Sequence, residues 1–277
     1  MVILGMLLYG LASVLAVLSM IRTGERSERS TLILLAGGVL TFLALMVIRI
    51  FKADCLPSFN RFDGLTWYAL ALSGTYLLMK PRRCSRGISG LLLPFVTVIL
   101  FFGVPSMGVP PGAPPPNQGI WLTIHVIMGY AAYAFFSLAS INAVAYLVQD
   151  HNMKKKKFGP VWEHLPSLET LDHLMSRLVG LAFLFFVVSI VLGFLMVHQA
   201  GDVEKWFTDP KVAAVIAAGI MLAVLVHMRA NADRHGRGVA ILTVAGLALV
   251  LFAFIGVPLV AETLHSFLQI RAGVGGP

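Results

Sequence analysis

Polar residues along the chain fall in short clusters. Between them run eight apolar stretches, at about 2–21, 31–50, 62–79, 87–104, 120–148, 174–198, 210–228 and 239–258. Each is close to the ~20 residues that carry an α-helix across ~30 Å of hydrocarbon at ~1.5 Å per residue. The pattern predicts an all-α, polytopic membrane protein: one integral membrane domain spanning residues 1–277, a bundle of eight transmembrane helices with short amphipathic surface helices. Composition supports it. Of the residues, 58% are hydrophobic and 12% charged, about half the charge of a soluble domain. A disordered chain and a large water-soluble core are both excluded. With 277 residues, eight spans leave no room for a separate catalytic domain of ~100–150 residues.

The formal charge of +8 reads as topology. Fifteen of the 21 Lys and Arg residues lie in or beside the first, third, fifth and seventh loops, including Arg22, Arg26, Arg29, Lys80, Arg86, Lys154–Lys157 and Arg234. The other six, Arg49, Lys52, Arg61, Lys205, Lys211 and Arg271, fall on the opposite side. Loops rich in Lys and Arg stay cytoplasmic, so the bias puts both termini outside. No basic residue precedes the first span, which therefore reads as a retained helix rather than a cleaved leader. The positive balance needs no nucleic-acid partner. Its partner is the lipid bilayer. Cys55 and Cys84 fall on opposite faces, and no CxxC is present, so a thiol–disulfide relay finds no support.

Several segments have a local reading. The proline-rich 105–118 is an uncharged outer connector. In LPSLETLDHLMSRL, Ser167 is placed to cap a helix that leads into the sixth span, with Glu169 in its first turn. The fifth span carries Gly129, Ala132, Ser137, Ser140 and Ala143, small residues that allow close helix packing and point to a central position. At about 259–271, Glu262, His265, Ser266 and Gln269 form one polar stripe, predicting a short amphipathic helix on the outer surface.

Eight histidines are present. His151, His164, His173 and His235 lie in inner loops and read as solvated surface, as does His198 at the outer end of the sixth span. Three differ. His125 is near the outer end of the fifth span, and His265 sits at the same level on the surface helix. His227 ends the seventh span inside, about 24 Å from the level of Lys211 at ~1.5 Å per residue. Around the outer pair, Glu262, Asp209 and Cys55 are the further ligand candidates, a poor set for a four-coordinate zinc site. Haem needs two axial ligands and an apolar pocket. The outer region offers Trp121, Trp67, Tyr68 and Trp206, with Arg61, Lys205 and Lys211 to meet propionates. On residues alone, an axial pair and a pair of hydrogen-bonded interfacial histidines both stay open.

Four segments together resemble the haem-handling family of cytochrome c assembly, the CcsA-type proteins, and their HemX-type relatives. LPSFNRFDGLTWYALAL (56–72) is similar to the family's Pro-x-x-Asn-x-x-Glu-Ser-Leu opening of the third span, with Asp63 for Glu. IHVIMGYAAYAFFSLASINAVAYLVQ (124–149), with the basic run and LPSLETLDHL after it, resembles the histidine-bearing helix and its loop. KWFTDPK (205–211) leads to AVLVHMR (223–229), and ETLHSFL (262–268) looks like the family's Leu-His-Ser-Tyr.

The resemblance implies that His125 and His265 are axial ligands of a haem b, with Trp206 and Asp209 shaping its platform, and that His227 belongs to a second, inner haem position; Trp121, from the outer aromatics above, joins the cofactor-binding candidates. It implies that haem is carried outward and presented to apocytochrome c, together with a second membrane subunit of cytochrome c biogenesis, in the bacterial cytoplasmic (inner) membrane. The chain would then form part of a holocytochrome c synthase complex; no independent catalytic motif such as HExxH, GxSxG or a P-loop is present. One segment departs. The family's Trp-Gly-x-x-Trp-x-Trp-Asp is AGDVEKWFTDPK here, with Thr208 where a tryptophan is expected. HemX-type relatives also lack the full segment and are described as affecting the level of an early tetrapyrrole-synthesis enzyme. That leaves a second reading, an accessory protein acting through the basic loop at Lys154–Lys157. A transporter finds no support, because no pair of Gly/Pro-broken spans and no mid-membrane carboxylate is evident.

The charge pattern makes a direct prediction. A reporter that is active only in the cytoplasm should be active when fused after Arg86 or Lys157 and silent after Asn117. The opposite result would invert the topology.

Overall fold

The computed structural model describes residues 1–21, 25–53, 60–79, 85–108, 119–156, 159, 164–201, 203–231 and 236–260. Helices make up its regular structure, with no strand among the described residues. They are α1 (Val2–Ile21), α2 (Glu25–Ala53), α3 (Arg61–Met79) and α4 (Ser85–Gly103), the last continued by a 3-10 turn at Val104–Ser106. After them come α5 (Gly119–Lys154), α6 (Leu168–Ala200), the short α7 (Val203–Thr208), α8 (Pro210–Asn231) and α9 (Arg237–Leu251). From α9 the chain runs through a π turn at Phe252–Gly256 into α10 (Val257–Val260).

The protein is an all-α, multi-pass membrane protein. Seven of the described helices are long and apolar enough to cross a bilayer. The eighth stretch expected to cross is α3, which has the length, 19 residues, but carries Asp63, Thr66, Ser73 and Thr75 among its apolar residues. The physical reason is its place. Eleven of its residues are buried, because α2, α4 and α5 pack around it. A helix enclosed by protein can carry polar groups that a lipid-facing helix cannot. α1, α2 and α6 show the opposite balance and expose apolar faces, for example Ile3, Leu7, Ile33, Leu40, Leu184 and Val191.

Cross-helix contacts fix the relative directions. At one end Arg49 of α2 meets Asp63 of α3. At that same end of the alternating bundle His125 of α5 meets Ser189 of α6. At the other end Asp150 of α5 lies 3.7 Å from Arg237 of α9, and Asp172 of α6 lies 3.0 Å from Arg229 of α8. Successive long helices therefore alternate in direction. The second end carries Lys154, Arg177, Arg229 and Arg237 and is called the basic end below.

Between the ends, hydroxyl groups lash helices together. Tyr9 of α1 donates to Ser73 of α3 at 3.0 Å. Tyr68 of α3 is bonded to Ser137 of α5. Ser140 of α5 donates to the Thr243 carbonyl of α9 at 3.2 Å. Lipid offers helices no hydrophobic drive to associate, so such bonds and close packing carry the assembly. Close packing is visible where α1 meets α2: a Cβ on Gly38 would lie 2.8 Å from the Tyr9 ring, and one on Gly5 2.7 Å from Phe42.

At the opening of α3, the Asn60 side chain accepts from the Asp63 N–H at 2.8 Å and donates to Asp63 Oδ2 at 2.7 Å. Arg49 Nη2 donates to the same Oδ2 at 2.9 Å, and Arg49 Nε stands 2.6 Å from Oδ1. The guanidinium also lies 5.7 Å from the centre of the Phe62 ring. The Asn-x-x-Asp segment thus acts as a cap and clasp that ties α3 to α2.

Some boundaries differ from expectation. Ser167 does cap, accepting from Thr170 N–H at 3.3 Å. The lead-in and the sixth span are, however, one 33-residue helix, about 50 Å long at ~1.5 Å per residue. No proline interrupts it, so its amphipathic first turns project beyond the hydrocarbon. α5 extends to Lys154 in the same way. His164 departs from the solvated reading. It is half-buried, its Nε2 is shielded, and its carbonyl accepts from Gly87 N–H at 3.1 Å. His151, His173 and His198 are exposed, and His235 lies outside the described residues. Of the outer amphipathic helix expected at about 259–271, residues 261–271 also lie outside them.

The clasp predicts a stability effect. Asp63→Ala leaves the Arg49 charge without its carboxylate and should cost about 3–5 kcal/mol, as for other broken buried pairs. The paired change Arg49→Met with Asp63→Leu should recover most of it. Thermal unfolding in detergent of wild type, single and double variants would measure both.

Candidate functional site

The end opposite the basic end gathers most of the residues singled out from sequence. His125 lies in the second turn of α5, partly buried against α6. Its Nδ1 is 2.7 Å from the backbone carbonyl oxygen of Ser189. A carbonyl only accepts, so Nδ1 carries the proton and donates. A neutral imidazole held this way has its lone pair on Nε2. The Ser189 hydroxyl lies 3.3 Å from the same Nδ1 and donates to the His125 carbonyl at 3.1 Å.

This approach depends on small residues. Gly193 follows Ser189 by one helical turn and stands beside its carbonyl. A Cβ on Gly193 would lie 2.9 Å from His125 Cε1 and 3.2 Å from Nδ1, closer than van der Waals contact allows. One turn along α5, a Cβ on Gly129 would come within 3.3 Å of Ser189 Oγ. Two glycines on facing helices therefore let the imidazole lie against the α6 backbone.

The neighbouring turn of α6 leads to Trp206. Its ring is edge-on to Phe194 at 5.4 Å and to Phe207 at 5.0 Å, and it is buried. The Trp206 carbonyl accepts from Asp209 N–H at 3.3 Å, which ends α7. Asp209 then caps α8: its Oδ1 accepts from Lys211 N–H at 2.7 Å and Val212 N–H at 3.3 Å, with Pro210 at the first helical position. The corner orients Lys211, whose side chain is buried with Nζ 6.0 Å from the Phe254 ring centre. Phe254 sits in the π turn and meets Tyr130, Tyr133 and Tyr68 at 6.0, 5.1 and 5.7 Å. Short π segments recur at functional sites. This one places an aromatic between α3, α5 and α8 just before the chain continues toward 261–277.

The structure thus brings His125, Trp206 and Asp209 to one end of α5–α8. Trp121 is exposed one turn before His125 on the same helix face. His227 is exposed near the basic end of α8, remote from that group. His265 lies outside the described residues, as does Glu262, and the side chain of Lys205 is likewise outside them. Among the described residues no group of three or more His, Cys, Asp or Glu is arranged to hold a metal ion. This end thus carries one oriented imidazole from α5, a cluster of aromatic rings and a buried cation. Groups of these kinds are what a haem site uses.

Sequence reasoning missed Ser189 and Gly193, which seat the imidazole, and gave Arg49 no role beyond its charge. The small pair Ser189-x-x-x-Gly193 was legible as a close-packing motif. Nothing in sequence showed that His125 would lie on it. Arg49 and Asp63 had opposite charges near facing helix ends, a usable signal.

Comparisons with known proteins agree on one relationship. The family model described as Cytochrome C assembly protein matches residues 60–265. The cytochrome c biogenesis protein CcsA of Chlamydomonas reinhardtii is 26% identical over 235 residues, covering 82% of this chain and 65% of that relative, slightly under two thirds of its length. CcsA of Synechococcus sp. (strain JA-2-3B'a(2-13)) is 23% identical over 290 residues, covering 83% of each chain. CcsA of Synechocystis sp. is 23% identical over 283 residues, covering 82% of this chain and 84% of the relative.

Gly193→Ala should push the imidazole off the Ser189 carbonyl at a packing cost of about 1–3 kcal/mol. In protein with 15N-labelled histidine, the wild-type His125 signal is expected to report a single tautomer protonated at Nδ1. The variant should show a mixture. An unchanged spectrum would refute the seat.

Proposed function

The chain belongs to the cytochrome c assembly protein family, and we propose that it handles haem at the His125 end of the bundle, the outer face, for attachment to apocytochrome c. Family membership supports a role in cytochrome c biogenesis and favours it over the HemX-like accessory reading. One observation carries the haem assignment: Nδ1 of His125 is committed to a backbone carbonyl, which orients Nε2 as the ligand nitrogen. Histidines that bind metals commonly use their second nitrogen in this way, which fixes the ring and strengthens the donor.

In this reading His125 and His265 are the axial ligands of a haem b. His265 follows Val260, the last described residue, by five positions, so it needs only a short path to reach the same end. Haem, when bound, supplies the iron for the two imidazoles and the vinyl groups to which the thiols of apocytochrome c add. The residues of this chain orient and enclose. Ser189 and Gly193 hold the His125 ring. The aromatic group around Phe254 supplies an apolar wall. Lys211, held by the Asp209 cap, offers a cation toward a propionate. Trp206 acts from beneath, by fixing the α7–α8 corner against α6 rather than by offering an open face, and exposed Trp121 supplies aromatic surface at the rim.

His227, exposed at the opposite end, is suited to an inner haem position completed by a second membrane subunit. The chain then works as one part of a synthase complex in the bacterial cytoplasmic membrane, with the thiols of the apoprotein as nucleophiles and positioning as its contribution.

The test is an absorption spectrum of the purified protein with and without added haem, for wild type, His125→Ala and His265→Ala. Wild type should give a reduced low-spin spectrum that either substitution abolishes and added imidazole restores. A deletion strain should lose mature c-type cytochromes while haem synthesis continues. Normal cytochromes c with a changed level of a tetrapyrrole-pathway enzyme would instead support the accessory role.

A further inference from the structure

A second arrangement lies at the basic end, away from His125. Asp172, Ser176, Val179 and Gly180 share one face of α6, and Val226, Arg229 and Ala230 share one face of α8. Where the faces meet, Ser176, Val179, Gly180, Val226, Arg229 and Ala230 enclose a cavity of about 210 Å³. Its rim includes Gly180 and Ala230, both exposed. A Cβ added to Gly180 would meet nothing within 4 Å. The cavity therefore opens sideways between the two helices.

Arg229 forms its charged wall. The side chain is only 4% exposed. Nη1 donates to Asp172 Oδ1 at 3.0 Å and to the Asp172 carbonyl at 3.4 Å. Nε and Nη2 are buried and have no acceptor among the described residues. A guanidinium presents five N–H donors in a planar fork, and leaving such donors unmet away from water is costly. One carboxylate engages one edge of the fork, and the other edge needs oxygen atoms. Asp172 balances the charge of Arg229, and Arg177 stands exposed on the next turn of α6.

We propose that this cavity is an oxyanion site that takes a phosphate group, with the Nε–Nη2 edge of Arg229 as its bidentate donor and Ser176 as a hydroxyl partner. Arg is the side chain best suited to paired contact with phosphate oxygens. Both nitrogens lie behind the cavity surface, so engagement includes a rotation about the terminal torsions of Arg229. The sideways opening and the place of Arg229 in the last turn of α8, at the level where headgroups lie, favour the phosphate of an anionic lipid. Basic pockets between transmembrane helices bind headgroups in this manner.

The full chain in phosphatidylcholine nanodiscs, with and without added phosphatidylglycerol, tests this by thermal unfolding and by lipid retention in native mass spectrometry. Variants are Arg229→Gln and Gly180→Leu. The second blocks the mouth in open space and leaves the Arg229–Asp172 pair intact, so it reports on the site even if the first fails to fold. Wild type should be stabilised by phosphatidylglycerol, and each variant should retain it about tenfold less, the loss expected for one charge-assisted contact. Inorganic phosphate in phosphatidylcholine discs, against chloride at equal ionic strength, is the second arm. Stabilisation there that Gly180→Leu removes assigns the site to free phosphate. No stabilisation by either source, or stabilisation equal in wild type and Gly180→Leu, overturns the proposal.

Discussion

The burial of one carboxylate, Asp63, constrains the rest of this fold. A bare carboxylate cannot lie inside a membrane bundle, because desolvation outweighs what packing returns. Here Asn60 and Arg49 meet its oxygens and its own N–H is capped. Only with that clasp closed can α3 stand in the interior. Once it does, Tyr9 and Ser137 find hydroxyl partners on it, and α1 and α5 take their places on either side. A helix with a buried carboxylate is thus the one that α1, α2, α4 and α5 are arranged around.

The same economy of polar groups shapes the His125 end. The imidazole is satisfied by a carbonyl already used within α6, reached because Gly193 has no side chain to stand in the way. Helix packing and ligand orientation are then one event. The α5–α6 contact is the most extensive among the described helices, so the ring is positioned by a long rigid interface rather than by a loop. Sites carried on such elements hold their geometry more closely than sites on loops. The Asp209 cap does the same for Lys211, tying a cation to the first turn of α8.

The two ends therefore differ in kind. The His125 end carries one oriented imidazole seated on α6 and, at the same end, aromatic rings from α5, the π turn and α7. At the basic end, carboxylates pair with arginines across α5–α9 and α6–α8, and one of those arginines keeps part of its fork unmet. The first arrangement suits a flat, apolar, metal-bearing cargo. The second suits an anion at headgroup level.

The class of fold and most helix positions are legible along the chain, because apolar length and loop charge report directly on the cost of placing groups in lipid. Also legible there are the helix start at Asp209-Pro210 and the shared level of His125 and Trp206, since both follow from local spacing. Four features arise only where helices meet. α3 is enclosed by its neighbours, Arg49 reaches Asp63 from another helix, His125 lies on the Ser189 carbonyl, and Trp206 is buried instead of open. Each depends on which faces of separate helices meet, and hydrophobic periodicity is silent on that in a membrane, where an outward and an inward face can be equally apolar.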